Sequence, residues 1–338
     1  MVYIRDLVKI CRNCGHRYPK DYNYCTKCDS NEKLTVNIKE LKTNPNKYYG
    51  VSNYSNNFED IYELFTQTNI DKLNKFNLTQ LQFENIISNI KKTYKSIINY
   101  LLGEYQIDLK TLTALDKILL FSKSFVKTDY KEGGGDLGHF KFNEIFIDDR
   151  ATDALQITTL IHELSHFLMA EILEQIVSEI LDTNKTGAVE AFVAYILSKN
   201  NLNYLVDEYC AHTVEGRFAV FGYQDYGSYE QCLLSFKSEF GEELIDVANQ
   251  IGNTFAFYIK DIMESFIDEK LRNDIKQEFS RINDIPKYSQ LQYETSMVFD
   301  WEAFYNVIKL MLTADLKVFV NDPAEMEKLE LYTNRFKE

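Results

Sequence analysis

The sequence predicts an α+β fold that is mostly α, with helical segments flanking a mixed core and a small N-terminal module of short strands. Three observations lead there. Apolar residues recur at helical spacing, as in Ile61, Leu64 and Phe65, then Leu81, Phe83, Ile86, Ile87 and Ile90. Period-two alternation is confined to short runs, Leu34-Thr35-Val36-Asn37-Ile38 and the stretch from Phe140 to Ile147. Four of the six cysteines crowd near the N-terminus as two Cys-x-x-Cys pairs, a metal-binding spacing and not a disulfide framework.

With 338 residues, 45% of them apolar, the chain can bury a substantial core. Its formal charge of −14 repels phosphate backbones and anionic lipid, which argues against nucleic acid as the main partner. Met1-Val2-Tyr3-Ile4-Arg5-Asp6 carries charge where a signal peptide needs an apolar run, and no later run has the length of a membrane span. Paired reduced cysteines suit a reducing compartment, so the expected address is the cytoplasm.

Residues 1–42 read as one cysteine-bearing unit. Residues 43–57, rich in Asn, Tyr and Ser around Pro45 and Gly50, lack apolar periodicity and read as a linker. Residues 58–130 form a helical segment. Residues 131–240 form the core, opened by the break Gly133-Gly134-Gly135-Asp136, continued by a strand over 140–147, and then by a long helix from about Thr152 to Leu181. Residues 241–338 form a C-terminal helical segment. Polar breaks fall near Ser198 to Asn203, Gly222 to Ser228 and Asn283 to Pro286.

Cys11 and Cys14, then Cys25 and Cys28, each place two thiolates on a tight turn, and the ten residues between the pairs let a hairpin close them around one tetrahedral ion. Gly15 after the first pair leaves the backbone free to approach the sulfurs. The arrangement resembles a zinc ribbon. Such a four-cysteine site has no open coordination position, so its role is structural. Arg12, Arg17, Lys20 and Lys27 make this module locally basic, which permits contact with nucleic acid or an acidic protein.

His162-Glu163-Leu164-Ser165-His166 is a HExxH pentapeptide. On a helix, histidines four apart project from one face and can share an ion, with Glu163 beside them. Leu160-Ile161 before it and Phe167-Leu168-Met169 after it are apolar, so the helix is buried, and paired buried imidazoles need a partner such as a metal. These residues resemble the zincin metallopeptidases, which place an edge strand just before the active-site helix. The order of glycine-rich turn, strand and Thr158-Thr159-Leu160-Ile161 before the pentapeptide is similar to the ImmA/IrrE-type branch, over about residues 133–215. The resemblance implies a zincin-like core, a catalytic zinc and extended peptide bound along the strand.

A catalytic zinc takes three protein ligands and keeps one position open. The chain lacks the glycine and histidine of a HExxHxxGxxH extension, so a downstream glutamate is expected. Glu190 and Glu208 compete. If the active helix runs to Leu181, His166 lies ~22 Å from its end at 1.5 Å per residue, and Glu190 just past the turn sits too far away. Glu208 falls at a comparable distance on the return path and is favoured. Asp207-Glu208-x-x-Ala211-His212 also resembles the Asn-Glu-x-x-Ser-Asp segment of gluzincins, with a histidine in place of the last acid. Glu190-Ala191-Phe192-Val193-Ala194 resembles the glutamate helix of ImmA/IrrE-type proteins, and would serve if the helix ended early.

By this reading Glu163 is the general base toward attacking water. His212 or Tyr223 is the expected donor to the developing oxyanion, with Tyr226 and Arg217 as alternatives. Asp207, Glu215 or Glu171 would orient the ligand imidazoles. His139 either faces the cleft or is exposed, and Cys210 is more simply a buried apolar residue than a ligand. The expected function is a zinc-dependent endopeptidase acting on an intracellular protein or peptide. The competing expectation is a catalytically silent zinc-binding regulatory or interaction protein, with its ribbon as the route to any association with nucleic acid; an intact Glu163 favours the enzyme.

Overall fold

The computed structural model describes residues 8–11, 17–19, 33–36, 61–105, 112–121, 125–128, 137–141, 144–148, 150–183, 185–218, 227–280 and 300–337. In chain order the elements are strands β1 (Val8–Cys11), β2 (Arg17–Pro19) and β3 (Lys33–Val36), then helices α1 (Ile61–Leu64), α2 (Gln67–Lys75), α3 (Gln80–Tyr105) and α4 (Ala114–Phe121). Strands β4 (Phe125–Thr128), β5 (Gly138–Lys141) and β6 (Glu144–Ile147) follow, and after them helices α5 (Asp153–Leu181), α6 (Gly187–Lys199), α7 (Asn201–Phe218) and α8 (Gly227–Phe240). A 3-10 turn at Glu242–Leu244 leads to α9 (Ile245–Met263), α10 (Glu269–Ser280), α11 (Trp301–Thr313), α12 (Leu316–Asn321) and α13 (Pro323–Lys337). The fold is thus α+β and mostly helical, as the periodicity predicts.

The chain divides into two compact units, one of Met1–Val51, Lys91–Leu160 and Met263–Asn283, the other of Ser52–Ile90, Ile161–Ile262 and Asp284–Glu338. Both sheets belong to the first unit. One has the order β2-β1-β3, with both pairings antiparallel. Cys11 closes β1, whereas Cys14, Cys25, Cys28 and the linker at 43–57 lie outside the described residues. The other sheet has the order β4-β6-β5, with β4 parallel and β5 antiparallel to β6.

Two sequence expectations change here. Val126, placed in the helical segment, is in β4, and the run from Phe140 to Ile147 is two strands and not one. Its second half is the middle strand and its first half an edge. The burial explains the difference: Ile145 and Ile147 are buried on the inner face of β6, while β5 is partly exposed along its length. Elsewhere in this unit Lys117 of α4 bonds Asp274 of α10 at 2.7 Å, and the Tyr94 ring stacks on Phe266.

Residues 161–181 of α5 belong to the second unit. This helix is apolar on all sides: Ile161, Leu164, Phe167, Leu168, Met169, Ile172 and Leu173 are at most 3% exposed, so it runs through a core and not along a surface. It stops where Asp182 takes φ 54°, in the left-handed region. The Thr183 amide bonds back to the Ser178 carbonyl at 3.0 Å, closing the helix end. Thr186 then accepts from the Val189 amide and starts α6.

The polar break expected over Ser198 to Asn203 contracts to Asn200, which is extended between α6 and α7. Asn203 lies inside α7, fully buried, because its amide donates to the carbonyls of Ile196 and Met311 and so satisfies two helix ends. Gly252 of α9 lets α7 pack closely; a Cβ there would stand 2.9 Å from the Val206 carbonyl oxygen. Arg217 of α7 donates to Asn253 of α9 at 2.7 Å, and Tyr229 of α8 donates to Asn249 of α9 at 3.1 Å. Aromatic rings fill the rest: Phe83, Phe255, Tyr258, Trp301 and Phe304 in one cluster, Phe65, Phe192, Tyr195 and Phe319 in another.

Glu325 of α13 ties that helix to α6 by accepting from Tyr195 and Lys199, and it also accepts from Lys328. Bonds from Lys199, Lys328 and Tyr195 hold its carboxyl down at about 2. A carboxyl whose folded pKa is depressed adds stability above its unfolded pKa and loses it as pH falls through the folded value. The Tm difference between wild type and Glu325→Gln, about 2 °C near neutral pH for a partly exposed contact, is therefore expected to shrink between pH 4.5 and about 2. Thermal melts across that range check it.

Candidate metal centre

Two helices of the second unit supply the site. One turn of α5 separates His162 from His166, so the rings share a face and their Nε2 atoms stand 3.1 Å apart. Spacings of four and three put Glu208, His212 and Glu215 of α7 on one side, with Asp207 next to Glu208. Glu208 Oε2 lies 3.7 Å from His162 Nε2, and Glu208 Oε1 lies 3.9 Å from His166 Nε2.

Donors on a tetrahedral ion with bonds of about 2.0–2.1 Å stand about 3.3–3.4 Å apart. The three separations straddle that value, and His162, His166 and Glu208 form a group that could hold a metal ion. Both imidazoles are turned by carboxylates on their far edges. Asp207 Oδ2 is 3.0 Å from His166 Nδ1, and Glu215 Oε2 is 3.2 Å from His162 Nδ1. A carboxylate favours a proton on the nitrogen it faces, which leaves each Nε2 as the atom available to a metal, on the side of the other ring and Glu208. His162, His212 and Glu215 form a second close group of donors behind the first.

The electrostatics are those of a nest for a cation. Burial by itself pushes His166 down, but the charge and hydrogen bond of Asp207, with Glu208 and Glu163, raise it to about 10. His162 behaves alike: burial lowers it, and Glu215 and Glu163 outweigh both burial and the repulsion of His166. Burial would raise Glu208, yet the imidazoles of His166, His162 and His212 and a bond from Ser228 hold it below its usual range. Carboxylates that draw protons onto imidazoles draw a dication to the same place. Glu163 is buried, and that burial pushes its carboxyl up against the pull of His162 and His166.

The other candidates are distributed as follows. Glu190 is buried on α6 with its Oε1 3.5 Å from Lys185 Nζ, in a cluster that also contains Glu171 and Glu174. Burial raises Glu174 there to about 7 while Lys185 opposes it. Glu171 therefore faces Lys185, and the carboxylates beside the imidazoles are Asp207 and Glu215. His212 is 2% exposed, with Nε2 3.1 Å from Ser228 Oγ and Nδ1 3.5 Å from Glu215 Oε2. Arg217 bonds Asn253, and His139 stacks on Phe146 within its own sheet. Cys210 is buried and its thiol is pushed up by that burial. Tyr223 and Tyr226 lie outside the described residues.

Ser228 joins the site from outside the residues that the sequence singles out. Its hydroxyl donates to Glu208 Oε2 at 2.7 Å from the first turn of α8. A lone serine after a polar break carries no sequence signal for such a role.

Comparison with protein-family models, curated proteins and solved structures finds no match. Among the described residues no helix is long and apolar enough to cross a membrane.

Proposed function

We propose that this protein is a zinc-dependent metallopeptidase that hydrolyses peptide bonds of an intracellular protein substrate. The observation that carries the reading is the convergence of His162, His166 and Glu208 around one point, with the buried Glu163 on the same turn of α5. Two imidazoles and one carboxylate are a donor set that zinc accepts, with a position left for chemistry. Zinc held there supplies Lewis acidity toward a carbonyl oxygen and makes water more acidic.

The protein's own groups do the rest. Glu163 accepts a proton from the attacking water and returns it to the departing amine, so no covalent enzyme intermediate is needed. Asp207 and Glu215 hold the two imidazoles by their Nδ1 edges. A binding protein that turned nothing over would have no use for a buried carboxylate at position 163, whose desolvation is unfavourable unless something is gained.

The test is a comparison of protein termini in cells making wild type or Glu163→Gln. At least one new terminus is expected with wild type and none at that position with the variant. Identical sets of termini would overturn the proposal and favour the silent zinc-binding regulator.

A further inference from the structure

We infer that Ser228 is a positioning residue of the metal centre, its hydroxyl, linked to His212, setting the orientation of the Glu208 carboxylate. The inference rests on the metal-centre reading and deepens it. Glu208 reaches the centre from α7 on a flexible side chain, and neither imidazole nitrogen comes within 3.5 Å of it. Ser228 Oγ does, at 2.7 Å, and a hydroxyl donating to a carboxylate makes a short, strong bond.

The hydroxyl has one proton, and the carboxylate takes it. His212 Nε2, 3.1 Å from the same oxygen, must then be the donor to Ser228. That choice turns the buried ring toward Ser228, and its other edge toward Glu215 Oε2, the atom that faces His162 Nδ1. A hydrogen-bonded chain thus runs from Glu208 through Ser228 to His212, with Glu215, the partner of His162 Nδ1, beside the far edge of that ring. His212 belongs to this chain.

Ser228 can act this way because its own helix is held in register. The next residue, Tyr229, is 1% exposed, donates to Asn249 of α9 and packs its ring 5.6 Å from that of Tyr209 on α7. The first turn of α8 is therefore placed against the helix that carries Glu208. Groups that orient metal ligands typically contribute about 10- to 100-fold in metal affinity.

The experiment measures zinc affinity of the full-length chain by competition with a chromophoric chelator, the histidine-dependent zinc being defined as that lost in His166→Ala. Ser228→Ala is expected to weaken it by about 10- to 100-fold and to speed zinc release. Ser228→Thr should stay within about threefold of wild type, and Ser228→Val, of the same shape without the hydroxyl, should behave like Ser228→Ala. Should Ser228→Ala not fold, the Thr and Val pair decides the matter by itself. His212→Gln is expected to weaken binding too, and less than additively with Ser228→Ala, because both act through one chain. Equal affinity in wild type and the folded Ala or Val variants, with His166→Ala losing zinc, overturns the inference and leaves the centre standing. No difference between wild type and His166→Ala overturns both.

Discussion

Glu163→Gln is expected to retain zinc and melt near the wild-type temperature while cleaving its substrate about 10² to 10⁴ times more slowly, the range for loss of a positioned general base. The amide keeps the shape of the carboxylate, and the ligands at positions 162, 166 and 208 are untouched. Burial holds the Glu163 carboxyl above its ordinary range, so a neutral amide there does not add a desolvation penalty. Single-turnover rates on the substrate found from protein termini, with zinc content by elemental analysis on the same samples, separate the alternatives. A wild-type rate would remove metal-assisted hydrolysis as the activity. Loss of zinc would instead make Glu163 part of the metal-holding structure.

Glu208→Gln is expected to lose the histidine-dependent zinc, with affinity falling by about 10² or more, since one of three protein ligands becomes a poor donor. Glu190→Gln is expected to leave zinc affinity within about threefold, because Glu190 faces Lys185 and the cluster of Glu171 and Glu174. Its effect should appear as altered stability, since it changes the charge around a buried lysine. Zinc competition together with thermal melts on both variants gives two readouts that must cross. The reverse pattern would place the third ligand on α6 and require α5 to end earlier than the turn at Asp182.

The helical character of the chain and the extent of α5 were legible because both follow from local rules. Apolar residues on every side of 160–173 mark a buried helix, and the i, i+4 spacing of His162 and His166 puts two imidazoles on one face whatever surrounds them. The strands were harder. Phe140 to Ile147 has one continuous alternating pattern, and a pattern of period two says which face a residue takes but not where a run folds back on itself, so one edge strand was expected where the sheet holds β5 and β6.

The sequence by itself determined the pair of imidazoles, the adjacent carboxylate and the choice of two glutamates, since each depends on helical spacing within one segment. Only the tertiary structure decided how those glutamates divide between Lys185 and the histidines. It also decided that Asp207 and Glu215 turn the two rings, and that Ser228, twenty residues beyond Glu208, holds the carboxylate. The physical reason is that a hydrogen bond between helices depends on where each helix stops and how closely its neighbours approach. The left-handed residue at Asp182, the single extended Asn200 and the close packing at Gly252 set those positions, and none of the three marks in the sequence which side chains will meet.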